Sequence, residues 1–254
     1  MDLGTLIHSV GQLIAHQLDE YVMTQRDGYR PGMFKGVIGT NIPKARLLYY
    51  FSDHEMRDLF NTSNDESGGQ RKDSWCGWHN DHSALTGLIL GQFYDGNGGV
   101  IPDITSVDDG IQSTSSEEVS KGGLYIKTRQ NVTHHVELDE ETSSRYLAFQ
   151  IGETSQILSG GVLAATPHAV MGYQGGQSKE ISRSSFAVFL QPHYNQSMTA
   201  PYHEGVDVET VQYDGWWGLS IPKLSSRWWN ASTDTFGAFH TRTFETYYNM
   251  KMNA

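Results

Sequence analysis

Residues 79–90 read His79-Asn80-Asp81-His82-Ser83-Ala84-Leu85-Thr86-Gly87-Leu88-Ile89-Leu90. The second half is short, apolar and suited to a pleated surface, so it predicts a strand. The first half is polar and lies where a loop enters that strand, the kind of position from which side chains are offered to a ligand. Segments in the same style recur on both sides, at 46–51, 123–127, 132–138, 146–152, 161–166 and 186–190. Clusters of Gly, Asn, Asp, Ser and Pro separate them and no helical period intervenes. The pattern predicts a mainly β chain, most simply a jelly roll or barrel.

Helices are expected only at the two ends. Residues 3–22 place Leu6, Val10, Leu13, Ile14 and Tyr21 at helical spacing, predicting an amphipathic helix laid over a sheet face. Residues 234–248, after Trp216-Trp217 and Trp228-Trp229, read as a closing helix. Residues 95–121 read as a long surface insertion and 172–180 as a shorter hairpin tip. No internal repeat or linker is found. The expectation is one domain over 1–254, with a helical region at 1–40, a jelly-roll core at about 44–192 and a C-terminal region at 193–254.

Composition bounds the function. The 254 residues carry 18 Lys and Arg against 29 Asp and Glu, a net charge of −11, which argues against a nucleic-acid partner because phosphate binding rests on a basic surplus. The single cysteine, Cys76, excludes a disulfide within the chain and fits a reducing compartment. No stretch reaches the ~20 apolar residues of a membrane span, and the N-terminus lacks a signal-peptide pattern. The expected protein is soluble and cytoplasmic, with a small molecule as partner and no membrane. Its oligomeric state is left open.

A metal on a β scaffold needs ligands on one face. Residues i and i+2 of a strand point the same way, so His-x-Asp or His-x-Glu is a natural pair. The chain has His79-Asn80-Asp81 and His135-Val136-Glu137, and with 11 His one such triplet is expected by chance. Context favours the first, at a loop–strand junction, while His134, His135 and Glu137 read as ordinary sheet-surface residues. A third ligand should come from a distant strand, and residues 159–168 form an apolar run ending in His168. Alone, such a histidine is more often a core residue. With His79 and Asp81 it makes two imidazoles and one carboxylate, the donor set of non-haem Fe(II) oxygenases. Further on, Arg183-Ser184-Ser185 is the only Arg-x-Ser in the chain. Arg183 and Ser185 share one side of a strand, and an arginine turned into a barrel is costly unless an anion awaits it. A guanidinium fork beside a hydroxyl suits a carboxylate.

The order His-x-Asp, His, Arg-x-Ser, with the flanking strings 79–86 and 183–192, resembles the Fe(II)/2-oxoglutarate-dependent oxygenase superfamily, in its isopenicillin-N-synthase-like branch. The resemblance runs from about Lys44 to Pro192. It implies a double-stranded β-helix with flanking N-terminal and C-terminal helices, and Fe(II) bound by His79, Asp81 and His168. It also implies 2-oxoglutarate held by Arg183 and Ser185, with Tyr50 as a further contact and O₂ as second co-substrate. Leu48 stands where the family commonly has Asn. The implied activity is oxidation of a small organic substrate, hydroxylation by default, with no catalytic side chain beyond the metal ligands. On the residues alone other readings stay open: a non-catalytic jelly-roll relative acting as a binding module, an iron oxidase without 2-oxoglutarate, and a zinc hydrolase on a cupin-like barrel. His82 either lines the pocket or caps the strand, the second being favoured. Relatives usually carry more chain ahead of the motif than the 78 residues before His79, so an exposed sheet edge is expected.

Overall fold

The computed structural model describes residues 2–60, 74–101, 122–137, 146–173, 180–201, 211, 221–228 and 234–252. Its strands form two antiparallel sheets. The first holds β1 (Lys44–Tyr50), β3 (Leu85–Leu88), β4 (Gln92–Tyr94), β5 (Val100–Ile101), β8 (Ala148–Ile151) and β10 (Ser182–Leu190). The second holds β2 (Ser74–His79), β9 (His168–Met171), β6 (Gly123–Lys127) and β7 (Thr133–His135), in that spatial order. β10 organises the first sheet: β1 pairs along one edge, while β3 and β4 share the other as one interrupted strand. Because the chain repeatedly crosses from one sheet to the other, the whole is a double-stranded β-helix, or jelly roll.

Side chains alternate along β10. Phe186, Val188 and Leu190 pack with α1 (Leu3–Gln25) and α2 (Met33–Gly39) on the outer face. Arg183, Ser185, Ala187 and Phe189 therefore face the space between the sheets. α1 begins at Asp2, whose carboxylate caps the helix by accepting from the Thr5 amide at 2.8 Å. Asp19, buried on the inner side of α1, accepts from the amides of Phe34 and Lys35 and from the Tyr29 hydroxyl, so one carboxylate ties α1 to the start of α2.

The buried stripe of α1 is only in part the expected one, with Ile14 packed on the core as foreseen. Ile7, Gly11, Ala15, Asp19 and Val22 face the sheet, whereas Leu6, Leu13 and Tyr21 are exposed, Leu13 to 68%. The cause is close approach: a side chain at Gly11 would collide with Leu190, and one at Gly87 on β3 would collide with Ile7. Small residues fix this interface, and hydrophobicity alone places Leu6, Leu13 and Tyr21 wrongly.

Two short helices interrupt the region expected to hold none, α3 (Asp53–Phe60) and α4 (Glu153–Leu158), while α2 falls within the helical region expected at 1–40. Such short segments are too brief to display a period. Residues 161–166 are not a strand either. Gly160 and Gly161 take left-handed conformations, φ 63° and 81°, and turn the chain back from α4 towards β9. The closing helix is present as α5 (Phe236–Met252). Most of the expected 95–121 insertion and the tip of 172–180 lie outside the described residues, as do Trp216, Trp217 and Trp229. Among the described residues β1 pairs only with β10, and its Leu47 is 78% exposed, so an open sheet edge is present. No helix among them is long and apolar enough to cross a membrane.

A second core closes the C-terminal end of the barrel, where Phe236 and Phe239 of α5 pack with Ile157, Met198 and Trp228. Inside it the Arg227 guanidinium forks onto Glu153, Nη1–Oε2 2.5 Å and Nη2–Oε1 2.6 Å, with both residues almost fully buried. Burial by itself lowers the arginine's pKa, but the Glu153 carboxylate outweighs it and raises it above its ordinary value. Removing one partner of such a pair costs about 3–5 kcal/mol because the other charge is left uncompensated.

The reassigned face of α1 can be tested directly. Gly11→Val is expected to destabilise the fold by about 1–3 kcal/mol through overpacking. Leu13→Asn should change it by less than about 0.5 kcal/mol, as for other exposed sites. Urea unfolding of both variants checks this.

Candidate metal centre

β2 and β9 are neighbours with an irregular register: Cys76 faces Val170 and His79 faces His168, three steps on one strand against two on the other. This bulge sets the two imidazoles side by side, with centroids 4.2 Å apart. The Nδ1 of His79 lies 2.8 Å from the Gly77 carbonyl, and that of His168 lies 3.0 Å from the Thr166 carbonyl. A carbonyl only accepts, so each Nδ1 carries the proton and each Nε2 turns inward.

Asp81 follows β2 in the loop leading to β3. Its backbone carbonyl accepts from the Glu153 amide at 2.7 Å, and Gly152 leaves room for that approach because a side chain there would collide with the Ser83 carbonyl. Asp81 Oδ1 lies 3.9 Å from the Nε2 of both histidines. One donor atom from each of His79, Asp81 and His168 falls within 4.8 Å of the others, the one such group among the described residues. Burial works to lower the pKa of His79, but Cys76, Asp81 and the Gly77 carbonyl together raise it to about 9. Burial also lowers His168, helped by His79 and opposed by Asp81. Holding a cation at the cluster would require Nε2 of both rings to be free of a proton.

Arg183 and Ser185 lie on the inner face of β10, where Tyr50 pairs with Arg183 and Leu48 with Ser185. Arg183 is only 4% exposed and makes no ion pair with a described residue, and its Nε is buried without any hydrogen-bond partner. The Tyr50 and Phe93 rings flank the guanidinium at 5.5 and 5.7 Å, and Trp75 stacks on Tyr50. Burial in this apolar box lowers the arginine's pKa below its ordinary value. Tyr50 connects the two parts of the site. Burial raises its pKa, Cys76 and Asp81 add to the rise, and Arg183 and Ser185 oppose it, so its hydroxyl feels both groups. The six residues singled out in the sequence are brought to one interior region. His135 is not among them: it bonds to Glu137 at 3.0 Å and stacks on Tyr125. His82 turns away from the pocket, its Nε2 2.7 Å from His240 Nδ1 on α5.

No protein-family model matches the chain, and no curated protein matches it. Solved structures do. A protein assigned to the 2OG-Fe(II) oxygenase family from Caulobacter crescentus aligns with a TM-score of 0.55 at 14% identity, covering 96% of this chain and 57% of that one. The chain has the fold of the 2OG-Fe(II) oxygenases. A protein described as an oxygenase from Shewanella oneidensis aligns at 19% identity and TM-score 0.46, covering 77% of this chain and 54% of the other. A rice dioxygenase for auxin oxidation aligns at 16% identity and TM-score 0.45, covering 80% and 49%. The chain thus spans about half the length of these solved structures.

Within this fold the donor set fits a divalent iron: two imidazole nitrogens and one carboxylate oxygen lie within 4.8 Å of one another. The orphaned Arg183 Nε fits a carboxylate. One participant is missed by the sequence reading. The Thr86 hydroxyl of β3 donates to Asp81 Oδ2 at 2.6 Å, backed by Ser83 Oγ at 3.0 Å. That bond occupies one carboxylate oxygen and leaves Oδ1 turned to the histidines. The signal available was a lone hydroxyl in an apolar run, five residues after Asp81. Thr86→Val is expected to weaken divalent-metal binding at the cluster by about 10- to 100-fold, the usual effect of removing a group that orients a ligand. Titration of the metal-free protein with Co(II), followed by its visible absorption, measures this.

Proposed function

We propose that the chain is a single oxygenase domain, 1–254, that uses Fe(II), 2-oxoglutarate and O₂ to oxidise a small organic substrate, with hydroxylation as the default outcome. On motif order we assign it to the isopenicillin-N-synthase-like branch. His79, Asp81 and His168 are taken as the iron ligands, and Arg183, Ser185 and Tyr50 as the grip on the distal carboxylate of 2-oxoglutarate. The observation that carries this is the buried Arg183, a cation without a counter-charge among the described residues, on the inner wall of a barrel that also holds the His-Asp-His cluster. With a single free cysteine, Cys76, a reducing compartment such as the cytoplasm is proposed as its location.

When bound, Fe(II) and 2-oxoglutarate supply O₂-dependent oxidation of a C–H bond with release of succinate and CO₂. The chain's own residues supply position. Gly77 and Thr166 carbonyls hold the protons of the two histidines on Nδ1, so each ring offers a lone pair at Nε2. Thr86 keeps Asp81 to one free oxygen. The aromatic wall of Tyr50, Trp75 and Phe93 keeps water from the Arg183 head, so its attraction to a carboxylate is felt at reduced dielectric.

Two sets of variants test the reading. His79→Ala, Asp81→Ala and His168→Ala are each expected to abolish Fe(II) binding, while His135→Ala leaves it unchanged. Calorimetric metal titration decides between these, and retained binding in any of the first three removes that residue from the site. A buried charge-assisted hydrogen bond contributes about 1.5–3 kcal/mol. Arg183→Met should therefore raise the 2-oxoglutarate concentration needed for succinate formation by roughly one to two orders of magnitude, at ~1.4 kcal/mol per tenfold, with Fe(II) binding intact. Arg183→Lys should retain part of the affinity, keeping the charge and losing the fork. An unchanged requirement in Arg183→Met would mean that the arginine serves another anion.

A further inference from the structure

The inner face of β1 continues past Tyr50 and Leu48 to Arg46 and Lys44, which share its side. Arg46 lies over the Phe189 ring at 5.3 Å and Lys44 over the Tyr194 ring at 5.7 Å. Phe189 pairs with Lys44 on one side and with Thr86 on the other, and Thr86 holds Asp81. The two cations thus stand roughly 10 Å, two interstrand spacings, from the strand that orients the metal cluster. Along β1 they lie four to six residues from Tyr50, the partner of Arg183, so roughly 14–20 Å separates the two positively charged regions.

Neither Arg46 nor Lys44 forms an ion pair with a described residue, in a chain whose acidic residues outnumber its basic ones 29 to 18. Both are solvent-accessible, so they lie at the mouth of the barrel rather than in its wall. His240 of α5 packs on the Tyr194 ring, 5.4 Å between centroids, over which Lys44 lies. Burial, then Lys44 and Arg46, lower its pKa. Its other tie is to His82, the residue after Asp81. The mouth is therefore built from two cations without a counter-charge among the described residues, one imidazole and aromatic rings, with the candidate metal ligands behind it.

We infer that the substrate carries a carboxylate or phosphate oxyanion, held at the barrel mouth by Arg46 and Lys44 while its reacting carbon faces the His79-Asp81-His168 cluster. That the oxyanion belongs to a substrate rests on the oxygenase reading. The anion site itself rests only on the strand register and the unpaired charges. A guanidinium and an ammonium on adjacent same-face positions suit an oxyanion with more than one acceptor. The aromatic surface beneath them suits an apolar body attached to it.

Benzoate, phenyl phosphate and neutral benzamide serve as probes, with binding to the full chain measured by ligand-observed NMR. Benzoate or phenyl phosphate should bind at least tenfold more tightly than benzamide, and the tighter of the two identifies the oxyanion. Arg46→Gln should weaken that probe about tenfold, Arg46→Lys less, and Arg183→Met by no more than about twofold. Equal binding of benzamide, indifference to Arg46→Gln, or loss confined to Arg183→Met would each overturn the inference. A cooperative thermal transition matching the parent chain shows that a variant is folded, and if Arg46→Gln is not, Lys44→Gln takes its place. 2-Oxoglutarate binding is measured in parallel. If it fails while the probe still depends on Arg46, the oxygenase reading falls and the anion site stands. If it succeeds while the probe ignores Arg46, only the inference falls.

Discussion

The period-two alternation of β10 is the constraint on which the rest of the molecule depends. Its even positions, Phe186, Val188 and Leu190, anchor α1 and α2, and its odd positions carry Arg183 and Ser185 inward. A slip of one residue would exchange the two sets, burying a guanidinium against α1 and turning leucine and valine into the pocket. The hydrophobic energy of the outer core thereby fixes the direction of the inner polar groups. Stability and site are set by the same register.

The loop that carries Asp81 is held from both sides by groups that are not themselves candidate ligands. Thr86 grips the Asp81 carboxylate from β3, and the Glu153 amide grips its backbone carbonyl from the start of α4. Glu153 also accepts from Asn80 at 3.3 Å while it is locked to Arg227. A loop that would otherwise have several conformations is left with one, which is the preorganisation that a weakly chelating set of three donors needs.

Some of this is legible in the chain and some is not, for physical reasons. His79, Asp81, His168, Arg183 and Ser185 stand out because their side-chain chemistry is unusual beside apolar strands, and their order along the chain can be read without knowing the topology. Their spatial convergence is only visible once β2, β9 and β10 are in place. The face of α1 is illegible because it is chosen by the contact of Gly11 with Leu190, a matter of distance and not of hydrophobicity. The turn at Gly160 and Gly161 hides in an apolar run because both residues are read by composition, while their role lies in φ. Thr86 has no recognisable signal until its strand is known to lie beside Asp81, and Arg46 and Lys44 look like edge-strand charges until β1 is registered against β10.

The Glu153–Arg227 pair joins residues 74 positions apart, and Asn80 reaches Glu153 across 73. A chain emerging from the ribosome at about 5–20 residues per second folds its N-terminal part first. Both sheets of the barrel can therefore assemble while Arg227 is still in the tunnel, leaving Glu153 as a buried carboxylate with no cation beside it. That nascent barrel is held back by the cost of an uncompensated charge directly behind the Asp81 loop. The arrival of residue 227 removes the cost and closes the second core in the same event, so the Asp81 loop waits for a cation supplied 74 residues beyond Glu153.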